Sequence, residues 1–311
     1  MAAALLDVDA ESADQRLDNF LFRMLKGVPK SHVYRLIRSG QVRVNMGRAA
    51  AATRLAAGDV VRVPPLRRPA RAASGKRQAP ARAFDIVYED EVLLAVDKPS
   101  GVAVHGGSGV SFGVIEQLRA ARPQAPLLEL VHRLDRGTSG VLLVAKRRSA
   151  LRALQQQFRE RRVGKTYLAL VLGEWPQRLR VIDQPLHKHL LASGERHVAP
   201  APAGDPAARA AVTLVRVRQR WPAYTLLQVR IKTGRTHQIR VHLAAQGFPV
   251  AGDDKYGQFD HNRQLRKLGV KRLFLHAWQL QFTHPRSGEA MELEAPLPPD
   301  LPLPPYASDA I

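Results

Sequence analysis

Cysteine is absent from all 311 residues. That excludes disulfides, thiolate nucleophiles and Cys-ligated zinc together, and it agrees with a reducing compartment. No run of 18 apolar residues occurs, so no membrane-spanning helix and no membrane partner are expected. The opening MAAALLDVDAESADQ carries acids where a secretory signal needs basic residues ahead of an apolar stretch, which places the chain in the cytoplasm as an expectation. There is no glycine-rich phosphate loop. Acids are scarce, 27 Asp plus Glu against 48 Lys plus Arg, for a net charge of +21. Such an excess attracts a polyanion far better than a neutral metabolite, which makes nucleic acid the leading partner class. The bland alternative is a generally Arg-rich and Ala-rich composition. No long polar tract replaces a core, so a soluble globular protein is expected, and its length suits a small domain attached to a larger one.

The apolar pattern marks where those domains lie. Residues 1–15 read as a tail. Residues 16–63 read as a compact unit in which Leu17, Phe20, Leu21 and Leu25 share one helical face. A second helix holds Val33, Tyr34, Leu36 and Ile37, with Ser31 as its expected cap and Gly40 as its end. QVRVN and DVVRVP alternate as strands. This unit has ten Lys/Arg and two acids, and residues 64–82 add six Lys/Arg and none. That second stretch, rich in Pro, Ala and Arg, lacks apolar periodicity and reads as a linker, either lying along RNA phosphates or serving as a solvated tether. From 83 to 311 strand-like segments dominate, among them VLLAVDK, GVLLVAK, KTYLALVLG, YTLLQVRI and LFLHAWQLQF. Helices are expected at 111–121, capped by Ser111, and at 149–161, 236–246 and 258–268. Strands and helices do not alternate regularly. An α+β fold is therefore expected, a small α/β unit followed by a larger domain on a mostly antiparallel mixed sheet with flanking helices.

Four clusters carry possible chemistry. VHRLDRGTSGVLLVAK, 131–146, sets one carboxylate, Asp135, at the mouth of a strand among Arg133 and Arg136. A nucleophilic or general-base carboxylate must be ionised, and flanking guanidiniums favour that form, although a structural ion pair looks the same in sequence. TGRTHQIRVHLAAQGFPVAGDDKYG, 233–257, opens a helix with Arg235, His237 and Arg240, as an anion site would. VDKPSGVAVHGG, 96–107, ends a strand with Lys98 at a Pro-Gly turn, and GKTYLAL, 164–170, sets Tyr167 on a strand. Together they suggest one cleft.

In order and spacing these strings resemble the RluA/RluC family of ribosomal large-subunit RNA pseudouridine synthases, and SGVAVHGGSGVSFGVIEQLRA, 100–120, resembles its RluC branch. RLDNFLF, VYRLIRSGQVRVN and LAAGDVVRV resemble an S4 RNA-binding domain. The resemblance covers roughly 16–297. It implies that Asp135 is the essential aspartate, Tyr167 the tyrosine near the target base and Arg235 the arginine paired with the aspartate. It also implies that Arg133 enters the RNA stack as the uridine leaves. Arg136, Lys98, Arg16, Lys30, Arg35 and Arg38 are expected to contact RNA. The implied reaction breaks the N1–C1′ bond, turns the uracil and rejoins it through C5, which calls for a flipped base, a closed pocket and no cofactor. A monomer acting on large-subunit ribosomal RNA is expected.

Metal is not expected. His187 and His189 at strand spacing gain no acid at ligand spacing, and His237 and His242, five apart, do not share a helical face. Two other readings keep the same residues: a non-catalytic RNA-binding or assembly factor, and an RNA N-glycosidase that would release free uracil.

Overall fold

In the computed structural model, which describes residues 3–25, 27–66, 78–107, 110–190, 196–267 and 269–303, the chain divides between Gln78 and Ala79 into two units. The first contains β1 (Ala4–Asp7), α1 (Leu17–Met24), α2 (Lys30–Arg38), β2 (Arg43–Val44), β3 (Gly47–Arg48) and β4 (Val60–Val63). Its sheet runs β1-β4-β2-β3, antiparallel throughout. Leu17, Phe20 and Leu21 of α1 meet Val33, Leu36 and Ile37 of α2 over Val61 and Val63. The opposite face of α2 leaves Lys30, Arg35 and Arg38 exposed.

Two expectations are corrected here. Residues 4–7 belong to no tail; they form an edge strand, because Leu6 stands opposite Val61 and Val8, fully buried, donates its N–H to Asp59. And α2 starts behind Pro29 rather than Ser31: proline's fixed φ, here −58°, suits a helix entry, and Ser31 already lies inside the first turn. Most of the expected linker, 67–77, lies outside the described residues.

The second unit contains β5 (Ile86–Glu89), β6 (Leu93–Lys98), α3 (Val114–Ala121), β7 (Glu129–Leu130), β8 (Ser139–Ala145), α4 (Arg148–Arg159), β9 (Gly164–Leu172) and β10 (Val181–Asp183). It continues with β11 (Leu186–Leu190), β12 (Arg196–Pro200), β13 (Val212–Trp221), β14 (Tyr224–Ile231), α5 (Gln238–Ala245), α6 (Phe259–Lys267), β15 (Leu275–Thr283) and β16 (Ala290–Glu294). The main sheet runs β10-β13-β14-β9-β15-β8-β6-β5, with β16 added on β15 and β7 on β8. Every pairing is antiparallel except β15 with β8, where His276 and Ala277 face Ser139 and Gly140. β11 and β12 form a separate hairpin.

Helices cover both faces, which explains the nearly continuous apolar runs. Leu93, Ala95, Val141 and Leu143 pack beneath α4, while Leu94, Val96, Leu142 and Val144 point the other way to α3. Likewise Ala169 and Val171 of β9 face α5, and Leu168 and Leu170 face α6. Helix α3 begins three residues after Ser111. Its cap is Gly113, where a Cβ would lie 2.5 Å from the His105 backbone, and Glu116 accepts the N–H groups of Gly113 and Gly106 at 2.8 and 3.0 Å. No helix among the described residues is long and apolar enough to cross a membrane.

Candidate active site

The loop between β7 and β8 carries Asp135, and three features fix it. Val131 and Leu134 bury their side chains in the cores on the two sheet faces. His132 stacks on Phe158 at 4.8 Å and accepts the Leu143 N–H at Nε2, 3.1 Å. Burial pushes that imidazole down to about 4, so it is neutral and serves as an acceptor. The Thr138 N–H closes the turn on the Asp135 carbonyl at 3.1 Å. Just beyond, Gly140 has φ +110°, and a Cβ there would lie 2.2 Å from the Ala277 carbonyl oxygen; the parallel pair closes only over glycine.

Behind the loop, the turn after β6 is laced to it. Ser100 donates to the Gly137 carbonyl at 2.7 Å, and the backbone N–H of Gly101 donates to the Arg136 carbonyl at 2.8 Å. The Arg136 side chain, exposed, returns Nε–H to the Gly101 carbonyl at 2.8 Å. Lys98 was expected on RNA, and the structure corrects this: its side chain is 0% exposed. Its ammonium donates to the carbonyls of Pro99 (2.9 Å), Val102 (2.8 Å) and Arg136 (3.3 Å). Burial pulls it down to about 7 against the opposing charge of Asp135, so the lysine is an internal strut of the loop.

The facing wall comes from the turn between β14 and α5. Gln238, buried, accepts from Thr233 Oγ1 (2.7 Å) and from the Arg235 N–H (3.1 Å) and donates to the Val212 carbonyl (3.0 Å). His237 then enters α5 with φ +54°, a left-handed conformation that histidine tolerates better than most residues. This turn decides which arginine meets the carboxylate. Arg235, expected there, spends Nε on the Ala210 carbonyl at 3.1 Å, whereas Arg240, one turn into the helix, brings Nη1 to 3.9 Å from Asp135 Oδ2. The guanidinium of Arg240 is itself held by both oxygens of buried Asp253, each at 2.7 Å. His237 Nε2 stands 4.0 Å from the same Asp135 oxygen, and its Nδ1 lies 2.8 Å from the Tyr256 hydroxyl.

Tyr167 lines the cleft on the face of β9 that looks toward α5, opposite a register shift in β15 between His276 and Gln279. Such a bulge re-aims side chains beside a site. Burial, and then the charge of Asp135, raises the phenol well above the ordinary range, so it is a neutral donor. The cleft measures about 340 Å³, within the usual range for small-ligand pockets. Arg133 is exposed at its rim, and its guanidinium has no partner among the described residues. Asp135, Tyr167, Arg133 and Arg235 all line this cleft, as do Lys165, His237 and Arg240.

The profile for RNA pseudouridylate synthases matches residues 92–245 and that for the S4 domain matches 15–61. Ribosomal large subunit pseudouridine synthase C of Escherichia coli K12 is 52% identical over 299 residues, covering 94% of this chain and 92% of its own. This chain belongs to the RNA pseudouridylate synthase family. The Pasteurella multocida protein of the same name is 50% identical over 309 residues, covering 96% and 92%. Among solved structures, human RNA Pseudouridylate Synthase Domain Containing 1 aligns with TM-score 0.58 at 30% identity over 71% of this chain and 86% of that one. Human RNA Pseudouridylate Synthase Domain Containing 4 gives 0.58 at 27% over 70% and 90%.

Within this synthase the sequence named His237 and Arg240 only as part of an anion-suited helix entry, giving the pairing with Asp135 to Arg235, and it missed Asp253 and Lys165 as site residues. The GDDKYG string held the signal for Asp253, an acid beside a Gly turn, but nothing local says that it anchors an arginine 13 positions upstream. In the S4 unit, Lys30 lies 5.3 Å over the Phe22 ring, and Arg16 is engaged at 2.6 Å with buried Asp18.

Proposed function

We propose that this pseudouridine synthase acts in the cytoplasm, as a monomer, on uridines of large-subunit ribosomal RNA, with Asp135 as its nucleophile. One observation carries the reading. Among the described residues lining the cleft, Asp135 is the one carboxylate, set between the cation of Arg240 and the neutral phenol of Tyr167. The relatives' names supply the RNA, and the S4 unit supplies a basic helix suited to phosphates.

In this reading the target uridine leaves its stack and enters the cleft, at a cost of a few kcal/mol that loops and bulges lower. Arg133, exposed and unpaired at the rim, fills the vacated position by stacking and charge. Asp135 bonds to C1′ as the N1–C1′ bond breaks, the uracil anion turns on the surface that Tyr167 presents, C5 bonds to C1′ as the Asp135–C1′ bond breaks and frees the carboxylate, and the C5 proton passes to N1. Atoms and electrons balance without a redox partner. Arg240, pinned by Asp253, keeps one edge on Asp135. Lys30, Arg35 and Arg38 contact phosphates, with Arg16 and Arg136 adding charge.

The test is Asp135→Asn, which keeps volume and removes the charge and the nucleophilic oxygen. Pseudouridine formation should vanish while RNA affinity persists, because affinity comes from Lys and Arg on phosphates. A folded variant that still forms pseudouridine defeats the assignment; free uracil released by the wild type would make the chain a glycosidase.

A further inference from the structure

Lys165 brings to the cleft an ammonium that the fold leaves without a partner. It precedes Tyr167 by two positions on β9, so the two side chains share one face of the strand, and both line the cleft. The Phe158 ring of α4 is centred 5.9 Å from its Nζ, and a Cβ added at Gly234, in the turn between β14 and α5, would lie 3.8 Å from it. Among the described residues no carbonyl, hydroxyl or carboxylate accepts a hydrogen bond from this ammonium. It is half-buried, and burial first, then the neighbouring Arg161 guanidinium, pulls it below the ordinary lysine range. No acid offsets either effect.

The other cations of the cleft are committed or exposed. Asp253 holds Arg240 at Nε and Nη2 while Nη1 faces Asp135, and His237 is joined to Tyr256. Arg235, exposed, gives Nε to the Ala210 carbonyl, and Arg133 stands exposed at the rim. A methionine or leucine at position 165 could pack on Phe158 without desolvating a charge. A cleft wall that keeps an unpaired ammonium instead suits an anion that arrives from outside the protein.

The reaction makes such an anion. When the N1–C1′ bond breaks, the electron pair stays with the uracil, and conjugation spreads the charge from N1 to the oxygens on C2 and C4. We propose that Lys165 donates a hydrogen bond to a carbonyl oxygen of the uracil anion while the base turns over Tyr167. The donor is in place before the charge appears, in a cleft where it counts for more than in open water. The anion in turn favours the protonated lysine, as any opposite charge at contact does. Uridine in its ground state offers only neutral carbonyls and gains less, so the contact acts on rate more than on binding.

The inference rests on Asp135 breaking the N1–C1′ bond in this cleft, and Asp135→Asn tests that alone. For Lys165 the variants are Lys165→Met, which removes the charge at similar length, and Lys165→Arg, which keeps it. In single turnovers at saturating transcribed large-subunit ribosomal RNA, Lys165→Met should lower the rate about 10²–10³-fold, the usual loss for one such donor, with RNA affinity and salt slope unchanged. Its denaturant midpoint should stay level or rise, because a half-buried ammonium without a partner gives way to an apolar side chain. Lys165→Arg should recover part of the rate. RNA transcribed with 5-fluorouridine, whose fluorine already stabilises the uracil anion, should narrow the gap between Lys165→Met and wild type in consumption of the target nucleotide. Weaker binding with a salt slope flatter by about 0.7 would mark a phosphate contact, and a midpoint that falls with the rate would mark a structural strut. Either result overturns the proposal, as does a gap equally wide on both RNAs. A wild-type rate in Lys165→Met beside an inactive Asp135→Asn strikes this inference and leaves the nucleophile standing.

Discussion

Asp253→Asn tests the positioning of the site most sharply, because it changes one oxygen to an amide with hardly any change of shape. Asp253 Oδ1 accepts Arg240 Nη2 at 2.7 Å and the backbone N–H groups of Lys255 and Tyr256 at 2.9 and 3.0 Å, while Oδ2 accepts Arg240 Nε at 2.7 Å. An asparagine keeps the first oxygen and turns an NH₂ toward Nε–H, so one short bond becomes a donor facing a donor. It also strips Arg240, 11% exposed, of its buried countercharge. Breaking a buried ion pair from one side costs about 3–5 kcal/mol of stability. The guanidinium then shifts, and a displacement of about 1 Å at a reacting group costs about 10²-fold in rate, or about 2.7 kcal/mol of transition-state stabilisation. Pseudouridine formation in single turnovers at saturating RNA should therefore fall about a hundredfold, RNA affinity should hold, and a denaturant melt should shift by the stated amount. Acid adds a second signature. Burial pushes the Asp253 carboxyl up, but the hydrogen bond and charge of Arg240 with the two backbone N–H groups carry it below its ordinary value. Its contribution is thus present above about pH 4 and lost as pH falls through the lowered folded value, a step the Asn variant should lack. Wild-type turnover and stability in folded Asp253→Asn would refute the reasoning.

Gly140→Ala must fit a Cβ 2.2 Å from the Ala277 carbonyl at φ +110°, so we expect a loss above about 3 kcal/mol by thermal denaturation, and a loss within 1 kcal/mol would contradict the closure described. Lys98→Met takes the ammonium from the Pro99 and Val102 carbonyls, while the Arg136 carbonyl keeps the Gly101 N–H, and should cost about 1–3 kcal/mol with RNA affinity unaltered; weaker binding at unchanged stability would return Lys98 to the RNA surface. Replacing Lys30, Arg35 and Arg38 by Gln should flatten the salt slope by about 2–3 and leave the rate at saturating RNA unchanged, and an unchanged slope would remove α2 from the interface.

Strong patterns in the sequence carried the main sheet: β6, β8, β9 and β14 lie where continuous or alternating apolar runs put them. That Asp135 and Tyr167 share one cleft was legible as well, because long strings surround them. What escaped was set by tertiary contact. ALLD is too short and too close to acids to read as a strand, and it becomes one only against β4. Ser31 and Ser111 are good caps in isolation, yet Pro29 and the Gly113–Glu116 pair start those helices because of what packs around them. Arg235 and Arg240 are equally cationic in sequence; the left-handed turn at His237 chooses between them. Lys98 looked like a turn cation because burial of an ammonium over three carbonyls has no local signature.

The parallel pair of β8 and β15 also sets a timetable. β15 is the last strand but one among the described residues, yet it occupies the middle of the sheet, and Ser139 meets His276 at 2.9 Å across 137 positions of sequence. Contacts of such separation close late, since their loop entropy must be overcome before they return anything. During synthesis Asp135, Tyr167 and Arg240 all leave the ribosome before the strand on which their loops come together. A nascent chain shorter than about residue 280 therefore holds the reacting groups without the strand that aligns them, and the site cannot assemble before β15 has emerged.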